Sequence, residues 1–357
     1  MQFDLEMIHR LPKTDLHCHL DGSLRVATLL ELGRAEGIAL PADTEQALTV
    51  ALRPPTGSDL VSYLSLFDLT LAVMQTEEAL ERTAFELAED AARENVWYLE
   101  VRFAPVLHQQ KGLSLEAIVE AVLRGLRRAE GRWRIRSGVI VCGIRHIGPE
   151  VSLELAELAI QYKTQGVVAF DLAGAEKDYP AKHHREAFYR ILNNNINSTV
   201  HAGEAFGARS IHQAIHYCGA HRIGHGTLLW EDPDLLEYVN DHRIPLEMCL
   251  TSNIQTGAAE TYETHPFGTY FRKGLRVTIN TDNRLMSDTT VSRELQLACS
   301  AFHLDVADLR KVLINGIKAA FLPHAEKKAM LKRAITAWDE IFLETFPDTY
   351  QPYRTFL

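Results

Sequence analysis

The sequence predicts an α/β fold, a (β/α)8 TIM barrel with extra helices over its C-terminal mouth. Three observations predict it. Eight short apolar or β-branched runs punctuate the chain, longer stretches with helical spacing separate them, and polar residues gather at the ends of the runs, where barrel enzymes place their chemistry. A chain of 357 residues, 46% of them hydrophobic, is long enough to form such a barrel as one unit. No Pro-rich linker, low-complexity tract or short tandem repeat divides it, so a single domain over residues 1–357 is expected.

The first run, "TDLHCHL" from Thr14 to Leu20, places His17 and His19 two positions apart. Side chains alternate along a strand, so the two imidazoles share one face and Cys18 takes the other. About 75 residues separate this run from the next, room for additional helices over the mouth. The remaining strands are expected at "WYLEVRFAP", "SGVIVCGIR", "GVVAFDLAG", "NSTVHAGE", "HRIGHG", "IPLEMCL" and "LRVTINTD". Between the first two, "EEALERTAFELAEDAAREN" repeats Leu80, Ala84, Leu87, Ala88 and Ala91 at helical spacing, with charges on the opposite face. The tail from Leu309 onward reads as closing helices.

Composition narrows the function. Lys and Arg total 37 against 47 Asp and Glu, a formal net charge of -10, and no basic stretch is present to track phosphates, so a nucleic acid polymer is not an expected partner. The N-terminus "MQFDLEMIHR" lacks the apolar core of a signal peptide, and no apolar run is long enough to span a bilayer. Five scattered cysteines without a C-x-x-C pair fit a reducing compartment, and a cytoplasmic protein with no membrane partner is expected. Oligomeric state is not legible.

The chemistry sits at strand ends: His17 and His19 after the first run, Gly174 after the fourth, His201 and Glu204 after the fifth, His225 after the sixth and Asp282 after the eighth. Taken singly, the H-x-H pair, "HAGE", "GHG" and "NTDN" each have an ordinary structural reading. In a barrel they converge on one mouth, and coincidence becomes a poor explanation of the set. Three imidazoles and a carboxylate, His17, His19, His201 and Asp282, suit one Zn²⁺ with a position left for water, whose pKa the metal would lower towards roughly 7. Metal-assisted hydrolysis is the reaction class this predicts.

The motifs "LPKTDLHCHLDGSL", "DLAGAE", "HAGE", "RIGHG", "HPF" and "NTDN" closely resemble the adenosine deaminase family of the amidohydrolase superfamily, in order and spacing from about Leu11 to past Asp288. The resemblance implies hydrolytic deamination of adenosine and 2′-deoxyadenosine in purine salvage, with His17, His19, His201 and Asp282 as zinc ligands. It implies that Glu204 protonates purine N1, that His225 helps deprotonate and orient the water, and that Asp282 shares that hydrogen bond. It also implies a substrate site in which the Gly174 amide meets N3 and Asp21 holds the ribose 5′-hydroxyl beside His19. The run "SYLSLFD" resembles the family's apolar helix over the pocket. There Tyr63, Leu64 and Phe67 either line the pocket or pack on the barrel.

Two departures stand out. Family members often carry a second aspartate where this chain has Asn283; an ionised Asp cannot donate to purine N7, whereas an amide can. Leu250 stands where a proline is common, which implies only a local loop difference. Arg145 and His146 match a family pair and read as structural, as do His265 and most other histidines. Adenine or an aminofutalosine is the rival substrate, with Asp21 favouring a nucleoside. The Cys-rich zinc deaminases are excluded by the absence of a P-C-x-x-C motif. A binuclear centre would want a bridging lysine at the end of the fourth run, and "FDLAGAE" offers none before Lys177. A catalytically dead relative would have lost a ligand or the acid, and all are present.

Overall fold

The computed structural model describes residues 3–55, 57–58 and 60–352. Its centre is an eight-stranded sheet whose strands lie in chain order: β1 Lys13–His19, β2 Val96–Phe103, β3 Arg136–Ile144, β4 Val167–Ala173, β5 Asn197–Ala202, β6 Arg222–His225, β7 Leu246–Met248 and β8 Val277–Ile279. All neighbouring pairs are parallel. The ring closes just beyond β8. There the Asp282 amide donates to the His17 carbonyl and the His19 amide to the Asp282 carbonyl, both at 2.7 Å, forming a parallel bridge between Cys18 and Asp282.

Helices α1 Leu5–Arg10, α2 Val26–Glu36, α3 Glu45–Leu52, α4 Leu60–Leu64, α5 Phe67–Val73 and α6 Glu77–Arg93 flank or follow β1. Then α7 Leu115–Glu130, α8 Pro149–Gln161, α9 Arg185–Asn193, α10 Gly207–His216 and α11 Pro233–Asp241 follow β2 to β6 in turn. The chain ends with α12 Leu250–Gln255, α13 Phe267–Lys273, α14 Val291–Ala301, α15 Val306–Ala319 and α16 His324–Thr345. The amphipathic pattern expected for α6 buries Leu80, Ala84, Leu87, Ala88 and Ala91, with Thr76 capping the Ala79 amide. Every position of β2 is buried, as a strand covered by helices outside and by the barrel interior inside requires. One apolar core reaches from Phe3 to Tyr350.

Strands β6 to β8 are shorter than the apolar runs suggest. After β8, side chains take over from the ladder. Asn280 Oδ1 accepts the Leu16 amide at 2.9 Å, and Asp15 accepts both the Thr281 amide, at 3.3 Å, and its hydroxyl, at 2.6 Å. The backbone is thereby freed to turn Asp282 inward. Among the described residues no helix is long and apolar enough to cross a membrane.

Candidate active site

The strand ends converge as expected. The ring centroids of His17 and His19 are 5.4 Å apart, those of His17 and His201 4.5 Å, and those of His17 and His225 4.7 Å. One ligand atom each from His17, His201, His225 and Asp282 lies within 4.8 Å of the others. That group contains His225 where the sequence reading has His19. Yet His19 Nε2 stands 3.1 Å from His201 Nε2 and 3.4 Å from Asp282 Oδ1, so five groups surround one point. His225 and Asp282 hold positive φ, 63° and 61°, a conformation costing a non-glycine residue about 1–3 kcal/mol and concentrated at functional sites.

Hydrogen bonds behind the rings separate their roles. His17 Nδ1 faces Glu247 Oε2 at 2.8 Å, and His201 Nδ1 faces Asp171 Oδ2 at 2.9 Å. A carboxylate only accepts, so each Nδ1 carries the hydrogen and each Nε2 presents a lone pair to the mouth. His17 Nε2 is buried with no hydrogen-bond partner, 3.3 Å from Asp282 Oδ1. Burial pushes the His17 pKa down to about 4, with the Arg102 and His201 charges adding to the effect, and burial holds His19 well below its usual range. For His201 burial works downward too, but Asp171 outweighs it and the net shift is upward. Asp282 is driven upward by burial, but the surrounding imidazoles, His17 foremost, prevail and hold it well below the carboxylate range. An orphaned imidazole nitrogen, lone pairs aimed together and an ionised carboxylate form a donor set that fits Zn²⁺.

His225 is held differently. The Phe267 amide donates to His265 Nδ1 at 3.1 Å, so the hydrogen of His265 sits on Nε2 and donates to Asn253 Oδ1, also at 3.1 Å. This fixes the amide, whose Nδ2 then donates to His225 Nδ1 at 3.0 Å. In neutral His225 the hydrogen is consequently on Nε2, facing Glu204 Oε2 at 3.5 Å. A nitrogen in that state donates to its neighbours and does not ligate.

Glu204 lies just beyond β5 and is buried; burial raises its pKa, against the opposing pull of His225. Thr256 Oγ1 donates to its Oε1 at 3.0 Å. A cavity of about 380 Å³ opens beside it, lined by His19, Asp21, Tyr63, Gly174, Glu204 and Asn283 among others, within the range of about 300–1,000 Å³ usual for small-molecule sites. Tyr63, Leu64 and Phe67 line this cavity and also pack against the apolar core, and the expected single helix is two, α4 and α5. Asp21 Oδ1 is buried without a partner, and burial raises that carboxyl to about 7. Gly174 has φ 91°, and a Cβ there would meet Ile144 and His146 at 3.2 and 3.3 Å. Asn283 Nδ2 donates to Tyr63 Oη at 3.0 Å, while Oδ1 has no partner and lies where a Cβ on Gly22 would sit, 2.0 Å away.

Sequence reasoning missed the layer beneath. Arg102, fully buried, donates to Asp171 at 2.9 Å, to Glu247 at 2.8 Å and to the Leu16 carbonyl at 2.7 Å, and so links the carboxylates behind both imidazoles. Arg222 donates to Glu247 at 2.5 Å and pairs with Glu100. The available signal was a charged residue inside each of several apolar runs, since such residues are rarely buried unless paired. Arg145 donates to the carbonyls of Tyr179 and His201, a structural role as expected. His184 bonds Ser152 and the Arg145 carbonyl, whereas His183, His212, His216 and His242 are exposed.

The model of one family, described as adenosine deaminase, matches residues 12–337. The chain belongs to the adenosine deaminase family. A relative from Mycobacterium sp. (strain JLS), named adenosine deaminase, is 47% identical over 350 residues, covering 93% of this chain and 96% of its own. Among solved structures, adenine deaminase from Arthrobacter aurescens superposes with a TM-score of 0.85 at 25% identity, covering 92% of this chain and 99% of that one. The apo N6-methyl-AMP deaminase of Arabidopsis thaliana superposes at 0.84 with 29% identity, covering 94% and 100%. Barrels of this shape thus include proteins named for a base, a nucleoside and a nucleotide, so the fold alone does not set the substrate.

Proposed function

We propose that the protein is a zinc-dependent enzyme that hydrolyses adenosine and 2′-deoxyadenosine to inosine and 2′-deoxyinosine with release of ammonia, as in purine salvage. The observation that carries this reading is the set of opposed tautomers around one point. Nε2 lone pairs of His17 and His201 meet Asp282 and His19, while His225 offers an N–H. His17, His19, His201 and Asp282 would hold one Zn²⁺ per chain. Such an ion supplies Lewis-acid activation of water at neutral pH. His225 Nε2–H and Asp282 orient that water, so the orienting half of the role expected for His225 is the half its hydrogen bonds support. Glu204, shielded from water and raised in pKa, gives its proton to purine N1, making C6 electrophilic. The water oxygen then bonds to C6 and the C6–N bond breaks; of the two water protons one restores the Glu204 carboxyl and the other goes to the 6-amino group, which departs as ammonia.

The substrate is held by the Gly174 amide at N3, by Asp21 at the 5′-hydroxyl and by Asn283 at N7, under the apolar lid of Tyr63, Leu64 and Phe67. A nucleoside fits this wall better than a 5′-monophosphate: the described lining includes Asp21 and Asp68 and no lysine or arginine. We read the whole chain as one domain because its core is continuous from Phe3 to Tyr350, and we place it in the reducing cytoplasm because all five cysteines are buried and free. The test is ammonia release from zinc-loaded protein given adenosine, 2′-deoxyadenosine, adenine, AMP, an aminofutalosine and cytidine. Release from the first two alone is expected, and Glu204→Gln should keep zinc yet lose about 10²–10⁴ in kcat. Preference for AMP or adenine would overturn the nucleoside assignment, and full turnover by Glu204→Gln would overturn the proton-donor role.

A further inference from the structure

Beside the reaction centre, four consecutive backbone N–H groups converge on one buried side chain. Glu176 leaves the loop after β4 and crosses to the loop after β5. Its Oε1 accepts the Gly203 amide at 2.6 Å, and its Oε2 accepts the amides of Glu204, Ala205 and Phe206 at 3.0, 2.6 and 3.2 Å. The residue is 4% exposed. Successive amides pointing inward form an anion-binding nest, and a carboxylate from the same chain fills it. The requirement is geometric: two oxygens must both accept, and a glutamine at 176 would turn an N–H₂ group towards donors it cannot bond.

We propose that Glu176 is a positioning residue for Glu204, setting where the Glu204 carboxyl stands in the pocket by clamping the backbone of Gly203 to Phe206. The proposal rests on the reading of Glu204 as the group that protonates the purine. Three contacts make the clamp consequential. Among the described residues the Glu204 carboxyl accepts one close hydrogen bond, from Thr256 Oγ1 on Oε1, with His225 Nε2 farther off at 3.5 Å, so its placement depends on the backbone that carries it. Gly203 has φ 72°, a turn that the clamp holds immediately after the β5 end. Thr227 Oγ1 donates to the Gly203 carbonyl at 2.6 Å from the His225 side, so Glu176 and Thr227 grip the same peptide segment from its amide and carbonyl sides. Among the described residues no other side chain accepts the Glu204 amide. Among the described residues the Glu176 carboxylate hydrogen-bonds no proposed metal ligand, and it acts through Glu204.

Glu176→Gln and Glu176→Ala, made in the full chain and loaded with zinc, test this. With adenosine, kcat should fall on the order of 10- to 100-fold, the size expected when a reacting group is misplaced by about an ångström, while KM changes less than about threefold. Bound zinc should stay at the wild-type level, and the acid limb of the kcat–pH profile should move. In Glu176→Ala, added formate should restore part of the lost kcat by entering the vacated nest. Two substrate-free readouts complete the test: hydrogen exchange at amides 203–206 should quicken in both variants, and formate should slow it again in the alanine variant. A lowered Tm with kcat and its pH profile unchanged would make Glu176 merely structural and overturn the proposal, as would unaltered exchange at those amides. If the alanine variant does not fold, the glutamine variant decides by the same kcat, pH-profile and exchange criteria. A wild type inactive on adenosine would refute the functional reading instead, a failure visible before any variant is made.

Discussion

Replacing Arg102 with methionine should injure the protein twice, in stability and in metal binding. Its guanidinium is wholly buried and makes three hydrogen bonds, two of them to carboxylates. Bonds to charged groups are worth about 1.5–3 kcal/mol each, and breaking a buried ion pair from one side costs about 3–5 kcal/mol. Glu247 keeps Arg222 and Thr199 as partners, and Asp171 keeps His201 and the Leu172 amide, so the lower part of the range applies, about 3–4 kcal/mol in all. For 357 residues the unfolding entropy near Tm is about 0.7 kcal/mol per kelvin, which turns that loss into a fall of about 4–6 °C. Freed from Arg102, Asp171 and Glu247 would hold His201 and His17 less firmly, and loss of such support lowers metal affinity by about 10–100-fold. Calorimetry of the metal-free protein gives the first quantity, and competition with a chelating dye gives the second. A variant melting within about 2 °C of wild type in the metal-free form would refute the stability argument, and unchanged zinc affinity would show that Arg102 does not support the imidazoles.

Four other outcomes are expected. Asn253→Asp would put an acceptor on His225 Nδ1 and move its hydrogen there, so zinc should be held at least as tightly while kcat falls by about tenfold or more; an unchanged kcat would refute the tautomer argument. Asn283→Asp should cost about tenfold in kcat/KM, growing as pH rises and the new carboxylate ionises, and a flat, wild-type pH profile would remove Asn283 from substrate binding. Glu294 is buried, and burial raises its pKa from 4.5 to about 7, so its proton is bound more tightly in the folded state. The stability this confers is complete below about pH 4.5 and is lost as pH rises towards 7, about 3 kcal/mol in all. Glu294→Gln, whose amide can donate to the hydroxyls of Thr251 and Thr289, should flatten that slope and be the more stable protein at pH 8 by urea titration; parallel slopes would exclude Glu294. Removing metal with a chelator should lower Tm reversibly, by the equivalent of about 4 kcal/mol if zinc was present at a thousand times its Kd; no change on chelation would count against a bound metal.

Much of this was legible because the barrel turns a one-dimensional pattern into a ring. Each proposed ligand stands at or just past the end of an apolar run, and parallel strands in chain order bring those ends together. Illegible was whatever depends on pairing between runs. Arg102, Asp171 and Glu247 carry no spacing rule, and only the register of β2, β4 and β7 around a closed barrel makes them neighbours. The chain Phe267–His265–Asn253–His225 spans two loops whose approach no periodicity encodes. Strand length was overestimated at β7 and β8 because apolar composition continues after ladder bonding has passed to side chains such as Asn280 and Asp15.

The charged floor of the barrel follows from what imidazoles need. Branched aliphatic residues would fill that space at no desolvation cost and could well give the more stable protein. They would leave each histidine free to populate both tautomers and to rotate, and a ligand must present one particular nitrogen. Glu247 and Asp171 remove that freedom by accepting from Nδ1, and Arg102 makes two buried carboxylates tolerable in one small volume. Burial by itself drives both carboxyls upward, yet the neighbouring cations hold them below the usual range. At His225 the partner on Nδ1 is a carboxamide whose direction is fixed by a backbone N–H two residues removed in the chain of bonds, and the tautomer is reversed. Three of the four imidazoles crowded here thus hold two opposed tautomers, the states that the two proposed tasks require, and the difference lies in whether the atom behind each ring accepts or donates.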